Sequence, residues 1–447
     1  MRKKIIALLV LLMAGAASAF SQVPLSLAEC IKTAQENSPQ LLNIQPQVDM
    51  LHLEHQAAKE AFLPSLNASV GENVSFGRSQ GKDFIYQDVS SANTSFQIGG
   101  EIALFNGGAK WYQLQKSKKA RENSDYIISE TMDNIALQVT ASYIQLLLAQ
   151  ELAATAKENL ALTQQYYEQV KEQVRVGKVA LSQQIEIESQ MGRDQLAVVE
   201  TEADVERAKK ALMLDMGITA EGNIEIAQVS PESVVASLQN EDPKRVDKEW
   251  VLPRTALLKR ELELSDYDLK IAKSRYLPSL SLAGGYSNGY YYMFGDGFMG
   301  KNDPFGEQMK RNGRTYVGLS LNIPIYNRGQ VRQQIQQAKI QQSRLQGQLI
   351  QQEYTDQRNI TLAEADLRKA EEQYRVSKEN VGLAQKALDI ADLEYRSGRI
   401  STYQWEQARN RRLQAQASYL QSIYTRLLRT INLTYFNTGA IPYHLAQ

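Results

Sequence analysis

The chain is poor in the residues that most often carry chemistry, with one cysteine and three histidines among 447 residues. A single cysteine, Cys30, excludes an intrachain disulfide. So few histidines are a small supply of acid–base groups, and no nucleophile stands next to a base in a recognisable pattern. The glycine pairs at 107–108 and 284–285 lack the Lys-Ser/Thr of a phosphate loop. We therefore predict no enzyme, no cofactor and no catalytic residues.

Two of the histidines, His52 and His55, lie three residues apart on a predicted helix, a spacing that can hold zinc. No cysteine or third histidine lies near them in the sequence. An exposed polar helix is therefore the favoured interpretation, and we predict no metal site.

Net charge and long apolar runs are also missing. Lys+Arg and Asp+Glu both number 50, so the composition has no nucleic-acid signature. After residue 19 no apolar run reaches the roughly 18 residues that a membrane-spanning helix needs. If this protein enters a membrane, it does so as strands.

The first residues have the order of a secretory signal peptide. Arg2-Lys3-Lys4 precedes an apolar stretch, and Ala17-Ser18-Ala19 offers a small-residue cleavage site, so residues 1–19 are expected to be removed. Cys30 is an alternative lipid-attachment site. It is disfavoured because Glu29 is not small and Cys30 lies beyond the expected cleavage point.

Proline is absent from two stretches of about 70 residues, Ala109 to Lys178 and Gly329 to Ser397. Apolar residues recur in each at helical spacing, which predicts one very long helix per stretch. At 1.5 Å per residue each helix would reach roughly 105 Å, several times the diameter of an ordinary domain. Such a helix must be a strut or the wall of a tube.

The two long helices belong to an internal duplication. Residues 58–66, Ala-Lys-Glu-Ala-Phe-Leu-Pro-Ser-Leu, return at 272–280 as Ala-Lys-Ser-Arg-Tyr-Leu-Pro-Ser-Leu, and Phe-Asn-Gly-Gly at 105–108 returns as Tyr-Asn-Arg-Gly at 326–329. In each copy a helix, two strands, a long helix and a further helix follow one another. The segments are a first repeat at 20–216, a connector at 217–248, a second repeat at 249–439 and a tail at 440–447.

The strand segments alternate between apolar and polar residues, with few exceptions such as Glu72. They are residues 66–76 and 96–104 in the first repeat, and residues 280–287 and 317–325 in the second. A soluble antiparallel coiled coil with these strands would leave four apolar faces in water. Transmembrane barrels use strands of about 10 residues that are apolar outside and polar inside. Four strands cannot close such a barrel, so we expect the chain to oligomerise.

A cluster of aromatic residues follows the third strand. An aromatic girdle at the membrane–water interface is favoured over an extracellular binding loop, and residues 295–314 are expected to lie outside the cell. The cluster comprises Tyr286, Tyr290, Tyr291, Tyr292, Phe294 and Phe298.

The duplicated order of helix, Leu-Pro-Ser-Leu, strands and long helix resembles the TolC-type outer-membrane efflux protein family. The resemblance covers essentially the whole mature chain and implies a mainly α fold with β: a homotrimer with a 12-stranded transmembrane β-barrel and a periplasmic α-barrel. It also implies an outer-membrane location, a periplasmic adaptor of the membrane-fusion type and an inner-membrane pump as partners, and no nucleic acid.

The helix tips carry the expected docking site. Each tip has an Arg-x-Gly-basic sequence, and its small glycine would let a partner's backbone approach. The predicted docking residues are Arg175, Gly177, Lys178, Arg396, Gly398 and Arg399.

The resemblance also predicts a gate at the narrow end. Family members carry an acid six residues after the tip glycine, whereas this chain has Gln183 and Gln404 there. We expect a gate of neutral groups comprising Gln183, Tyr395, Gln404 and Gln407, unless Glu186 or Glu406 faces the lumen.

The leading function is a passive exit duct of a tripartite efflux pump for small toxic compounds. A duct for type I protein secretion remains the alternative within the same class. A periplasmic adaptor or scaffold without a pore is the rival from another class, but it would carry one helical hairpin rather than two.

Overall fold

A computed structural model describes residues 24–80, 84–88, 90–218, 224–227, 250–295, 298, 300–439 and 441. The helices, numbered α1 to α9 in chain order, are Leu27–Asn37, Pro39–Glu60, Ala109–Glu122, Ser124–Arg175, Leu181–Asp215, Pro253–Ser274, Phe305–Arg311, Gln330–Arg396 and Thr402–Thr438. The strands, numbered β1 to β6, are Ser65–Ser75, Arg78–Gln80, Tyr86–Asp88, Ser90–Asn106, Ser279–Phe294 and Arg314–Asn322. The predicted duplication of helices and strands is confirmed.

One long helix is continuous and the other is not. α8 runs from Gln330 to Arg396 without a break, as predicted. The predicted single helix from Ala109 to Lys178 is wrong in one respect, because it is interrupted at Asn123 between α3 and α4. The Asn123 N–H bonds the Ala120 carbonyl at 3.1 Å, three residues back, which tightens the turn.

The predicted helix before the first strand is also divided. α1 begins at Ser26, which forms the expected cap: its hydroxyl accepts from the Glu29 N–H, and the Glu29 carboxylate accepts from the Ser26 N–H. Ser38 then adopts an extended conformation because Pro39 follows, and the ring of a proline disfavours helix in the residue before it. The sequence contained this signal, and the prediction of a continuous helix was wrong.

The described residues form two compact units, and the first comprises those that fall within 24–45, 126–256 and 351–441. Its core packs α1 against α4, α5 and α9 through fully buried side chains such as Leu27, Tyr143, Leu212 and Ile431. Cys30 lies in this core as a free thiol, and burial raises its pKa to about 12. A buried thiol inside a helix does not fit the alternative of lipid attachment.

The second unit comprises the described residues within 46–125 and 257–350 and carries the sheet. Four antiparallel strands pair in the order β1-β4-β5-β6. The register can be followed across the sheet from Leu66 to Gly100, to Gly284 and to Val317. The two predicted strands of each repeat pair with each other as a hairpin, and the pairing of β4 with β5 joins the two repeats.

The connections between the paired strands contain further structure. The segment between β1 and β4 contains the short β2–β3 ladder. The loop expected at 295–314 contains α7, and side-chain amides near it continue the β5 ladder beyond the end of β6. Asn302 both accepts from and donates to the Met293 backbone, and Gln308 does the same with Tyr291.

The last strand has the expected length of nine residues but begins and ends three residues earlier than predicted, at Arg314 rather than Val317. β6 ends at Asn322 rather than Ile325, because Pro324 has no N–H to give to a ladder. Among the described residues, no helix is both long and apolar enough to cross a bilayer. The expected signal peptide and most of the connector and tail lie outside the described residues.

Candidate functional site

The four long strands share one apolar face. Up to the bulge that follows Ala103 in β4, even-numbered residues of β1, β4 and β5 lie on the same side as odd-numbered residues of β6, as the register requires. The apolar side chains on this face include Leu66, Ala68, Val70, Val74, Phe96, Ile98, Ile102, Leu280, Leu282, Val317, Leu319 and Leu321. Glu72 is an exception, and its carboxylate accepts a hydrogen bond from the Thr94 hydroxyl.

This apolar face is uncovered. Leu66 and Val70 are 73% and 72% exposed, and Val317 and Leu319 are 78% and 67% exposed. The opposite face carries mainly Ser, Asn, Gly and Gln. A sheet that is apolar on one side and polar on the other matches the strand pattern of a wall between lipid and water.

Aromatic rings continue the apolar face beyond the end of β6. Tyr290, Tyr292 and Phe294 stand in a row with ring centroids 6.3 Å apart, and Phe76 packs edge-on against Phe294 at 6.0 Å. Phe305 of α7 contacts Tyr290 at 5.3 Å. Three of the six residues of the predicted aromatic cluster, Tyr290, Tyr292 and Phe294, therefore form a continuous row, whereas Tyr291 lies on the opposite face of the sheet. The place of this row at a membrane interface stays a prediction.

In the first unit, both predicted docking tips have the same backbone turn. Gly177 donates to the Val174 carbonyl and Lys178 to the Gln173 carbonyl, while Gly398 donates to Tyr395 and Arg399 to Glu394. This pair of bonds is the Schellman ending of a helix, and it requires a left-handed residue. Gly177 and Gly398 meet the requirement with φ of +74° and +71°.

The two glycines have open space around them as well as a left-handed backbone conformation. A Cβ atom added to Gly177 or Gly398 would meet no described atom within 4 Å. The basic side chains beside them are exposed, but three are engaged within the chain. Arg175 pairs with Glu172, the Arg399 Nε donates to the Ser397 hydroxyl at 2.9 Å, and Arg396 hydrogen-bonds Tyr166. The Arg175 guanidinium holds the pKa of Glu172 below its usual range.

The glutamines of the predicted gate lie beside the tips in the chain, and one of them caps a helix. The Gln404 Oε1 accepts from the Ser401 N–H at 3.0 Å, and the Ser401 hydroxyl accepts from the Gln404 N–H. Together they form the capping box that begins α9. Gln183 is half-buried and Gln407 is exposed. The reciprocal hydrogen bonds give Gln404 a local structural role that the gate hypothesis did not include.

Tyr395, the fourth residue of the predicted gate, packs on a tryptophan of its own chain. Its ring stacks on Trp405 at 5.4 Å, and Tyr166 packs edge-on against Trp405 at 4.5 Å. The Trp405 indole N–H donates to Asp392, which also accepts from the Tyr166 hydroxyl at 3.4 Å. Sequence reasoning did not identify Trp405, although it is one of only three tryptophans.

A buried ion pair lies one turn farther along α9. The Arg409 guanidinium contacts the Asp194 carboxylate at 2.7 Å, and the two side chains are 5% and 6% exposed. Arg409 also bonds Asn159, and Asp194 accepts from Gln190 at 2.7 Å and from the Thr163 hydroxyl. The pair therefore ties α4, α5 and α9 together. The available signal was the spacing of Thr402, Trp405 and Arg409 along one helical face.

The two glutamates that were weighed as a possible acidic ring differ in burial. Glu186 is exposed, whereas Glu406 is half-buried, with its Oε2 at 3.8 Å from Arg193. Burial raises the pKa of Glu406, and the charge of Glu186 adds to the rise against the opposing effect of Arg193.

The two histidines of the second unit differ in burial. His52 is exposed, but His55 is buried, with its Nδ1 at 3.1 Å from the Ser117 hydroxyl. The expectation of an exposed polar helix is therefore wrong at His55. Burial and the nearby charges of Lys59 and Arg121 lower the pKa of His55. Within the described residues, no group of three or more His, Cys, Asp or Glu side chains could hold a metal ion.

Comparison with known proteins gives consistent matches. The family model for outer membrane efflux proteins matches residues 30–217 and 257–435. Outer membrane protein TolC of Vibrio cholerae is 23% identical over 320 residues, which span 70% of this chain and 68% of that protein. Outer membrane efflux protein BepC of Brucella suis is 22% identical over 375 residues, spanning 82% and 75%. The crystal structure of CusC, described as forming a transmembrane channel, superposes with a TM-score of 0.77 at 17% identity and covers 95% of this chain and 96% of its own.

Proposed function

Because the chain belongs to the outer membrane efflux protein family, we propose that three copies of it form a passive exit duct for small toxic compounds. The four strands of each copy supply one third of a 12-stranded transmembrane barrel. The helical hairpins form a tunnel in the periplasm. A periplasmic adaptor and an inner-membrane pump complete the machine and provide the energy.

One observation carries this proposal: the sheet has a continuous, exposed apolar face, and neither β1 nor β6 has a second ladder neighbour among the described residues. A soluble protein would leave this face in water and both strand edges open to aggregation. In a lipid bilayer the same face is covered by hydrocarbon, and closure into a ring pairs both edges.

We propose the two tips as the adaptor-docking site. Each tip ends at a glycine that has a left-handed backbone conformation and open space around its Cα atom. A partner's backbone can therefore approach without meeting a side chain. Exposed Lys178, Arg396 and Arg399 add charge-assisted hydrogen-bond donors around the two glycines.

We propose a neutral gate beside the tips. Exposed Gln407, repeated three times, would give a ring of amides, which lacks the summed negative potential that draws divalent cations. The stack of Tyr395 on Trp405 gives the region a rigid aromatic wall within each copy. Closure then rests on packing and hydrogen bonds.

The experiment is to extract the protein from the outer membrane and insert it into a planar lipid bilayer. We expect that it needs detergent to stay in solution and that it produces discrete, stable conductance steps. A monomer that is soluble without detergent and forms no conductance would exclude the duct and favour a periplasmic scaffold.

A further inference from the structure

A cavity lies inside the first unit, between α4, α8 and α9. Its volume is about 170 Å³, and a single water molecule needs only about a tenth of that space. The cavity opens beside Leu162 and Gln385, which are exposed, whereas Trp405 and Arg409 on its inner wall are buried. It is therefore large enough for a small organic molecule.

The inner wall carries a buried hydrogen-bond donor that lacks an acceptor. Arg409 turns one edge of its guanidinium, formed by Nε and Nη2, toward Asn159 and Asp194. The remaining nitrogen, Nη1, is buried and has no hydrogen-bond partner among the described residues. Buried polar groups in native proteins are almost always paired. The occupant of the cavity is therefore expected to bring an acceptor to the Arg409 Nη1.

A second guanidinium lines the same cavity. Arg412 follows Arg409 by three residues on α9, which places the two side chains on one helical face. The Arg412 Nε donates to the Gln385 Oε1 at 3.0 Å, which holds this guanidinium near the opening. Two guanidinium groups beside one space match the two acceptor oxygens of a carboxylate.

The rest of the wall is mostly apolar. Leu162 and Leu388 contribute aliphatic side chains, and the Tyr166 and Trp405 rings contribute aromatic surface. Among the lining residues one carboxylate, Asp392, accepts from the Trp405 indole N–H and from the Tyr166 hydroxyl. Because these donors engage its Oδ1, Asp392 does not supply the acceptor that the Arg409 Nη1 lacks.

We propose that this cavity binds a small organic carboxylate with an apolar body, of about the size of benzoate. The carboxylate accepts hydrogen bonds from the Arg409 Nη1 and from Arg412, and the apolar body lies against Leu162 and Leu388. The site requires only the fold of the first unit, so it does not depend on the proposed duct.

The position of the cavity links an occupant to the tip region. Trp405 lines the cavity and also carries the stacked ring of Tyr395. An occupant contacts α4, α8 and α9 at once. Because it binds only the folded chain, it should raise the melting temperature of the protein.

Equilibrium dialysis of radiolabelled benzoate against the detergent-solubilised protein tests the site, with the uptake of empty micelles subtracted. We expect one benzoate per chain, with half-saturation on the order of 1 mM because so small a ligand makes few contacts. Benzyl alcohol has the same ring but no charge. It should bind about tenfold more weakly, since it cannot form charge-assisted hydrogen bonds.

Substitutions at the opening locate the binding. Arg412→Gln should weaken benzoate binding about tenfold, the loss expected for one charge-assisted hydrogen bond. Arg411→Gln is the matched control, because Arg411 is the neighbouring, exposed arginine of α9 and does not line the cavity. Leu162→Trp should also reduce binding by filling the opening, and Asp392→Asn should strengthen it by removing a repelling charge. Circular dichroism verifies that each variant is folded.

Three outcomes would overturn the site. Folded Arg412→Gln and Arg411→Gln variants that bind benzoate equally would exclude recognition by the arginine pair. Equal binding of benzoate and benzyl alcohol would show an apolar cavity that does not recognise a carboxylate. No bound benzoate well above the expected half-saturation would show a cavity that holds only water. None of these results affects the proposed duct, whose test is conductance.

Discussion

The buried ion pair between Arg409 and Asp194 offers a sharp test of how the tip region is held together. Replacing Asp194 by alanine leaves the Arg409 guanidinium without its counter-charge inside a site where both side chains are almost fully buried. The matched control is Glu202→Ala. It breaks the Lys157–Glu202 pair, which has the same 2.7 Å separation but side chains that are 58% and 51% exposed.

The two substitutions should lower the free energy of unfolding by very different amounts. Removing one partner of a buried pair costs about 3–5 kcal/mol, since the remaining charge stays desolvated. Breaking an exposed pair costs about 0–1 kcal/mol, because water solvates the freed charge. Both variants place alanine in the same helix, α5, so differences in helix propensity largely cancel. The expected difference of at least about 2 kcal/mol corresponds to roughly 30-fold in the unfolding equilibrium constant.

The measurement is equilibrium urea unfolding of the detergent-solubilised protein, followed by far-ultraviolet circular dichroism of its helices. Asp194→Ala should lower the midpoint clearly with an unchanged m-value, and Glu202→Ala should lie close to the unmodified protein. Equal midpoints for the two variants would show that the Arg409–Asp194 pair does not hold α4, α5 and α9 together, and would refute the reasoning from burial.

Three further results are expected. Gly398→Trp should abolish export without affecting assembly, while Gly398→Asn, which tolerates the same positive φ, should retain part of it; full drug efflux by the tryptophan variant would contradict docking at the tip. The conductance of the unmodified channel should be insensitive to millimolar divalent cations. Gln404→Glu, which preserves the capping box, and Gln407→Glu should each make the conductance sensitive to block by divalent cations. Strong block of the unmodified channel by these cations would show an acidic ring. Since the pKa of His55 is lowered on folding, its contribution to stability is present above pH about 6.5 and is lost as pH falls. The melting temperature should therefore fall between pH 7 and pH 5, and His55→Gln should reduce this fall whereas the control His52→Gln should not.

Much of the fold could be predicted from the sequence because its periodicities are strong. Alternation over about ten residues identified the strands, and the absence of proline over about 70 residues identified the long helices. The break at Ser38 was equally readable from Pro39, and it was missed because the apolar period continues through it. The interruption at Asn123 has no comparably strong signal, since asparagine only weakly disfavours a helix.

The site was less predictable because its contacts join distant parts of the chain. Nothing near Arg409 in the sequence points to Asp194, which lies more than 200 residues earlier. The role of Gln404 was hidden for another reason. Comparison with the family suggested a gate, whereas its local sequence, Ser401 three residues before it, already indicated a capping box.

The central claim is that one chain contributes one third of a closed barrel. Native mass spectrometry of the protein, extracted from the outer membrane in mild detergent without crosslinking, tests it most directly. We expect a single dominant species with the mass of three mature chains, which heat converts to one chain. A dominant species of one chain before heating would contradict the account, because four strands with two open edges cannot close a channel alone.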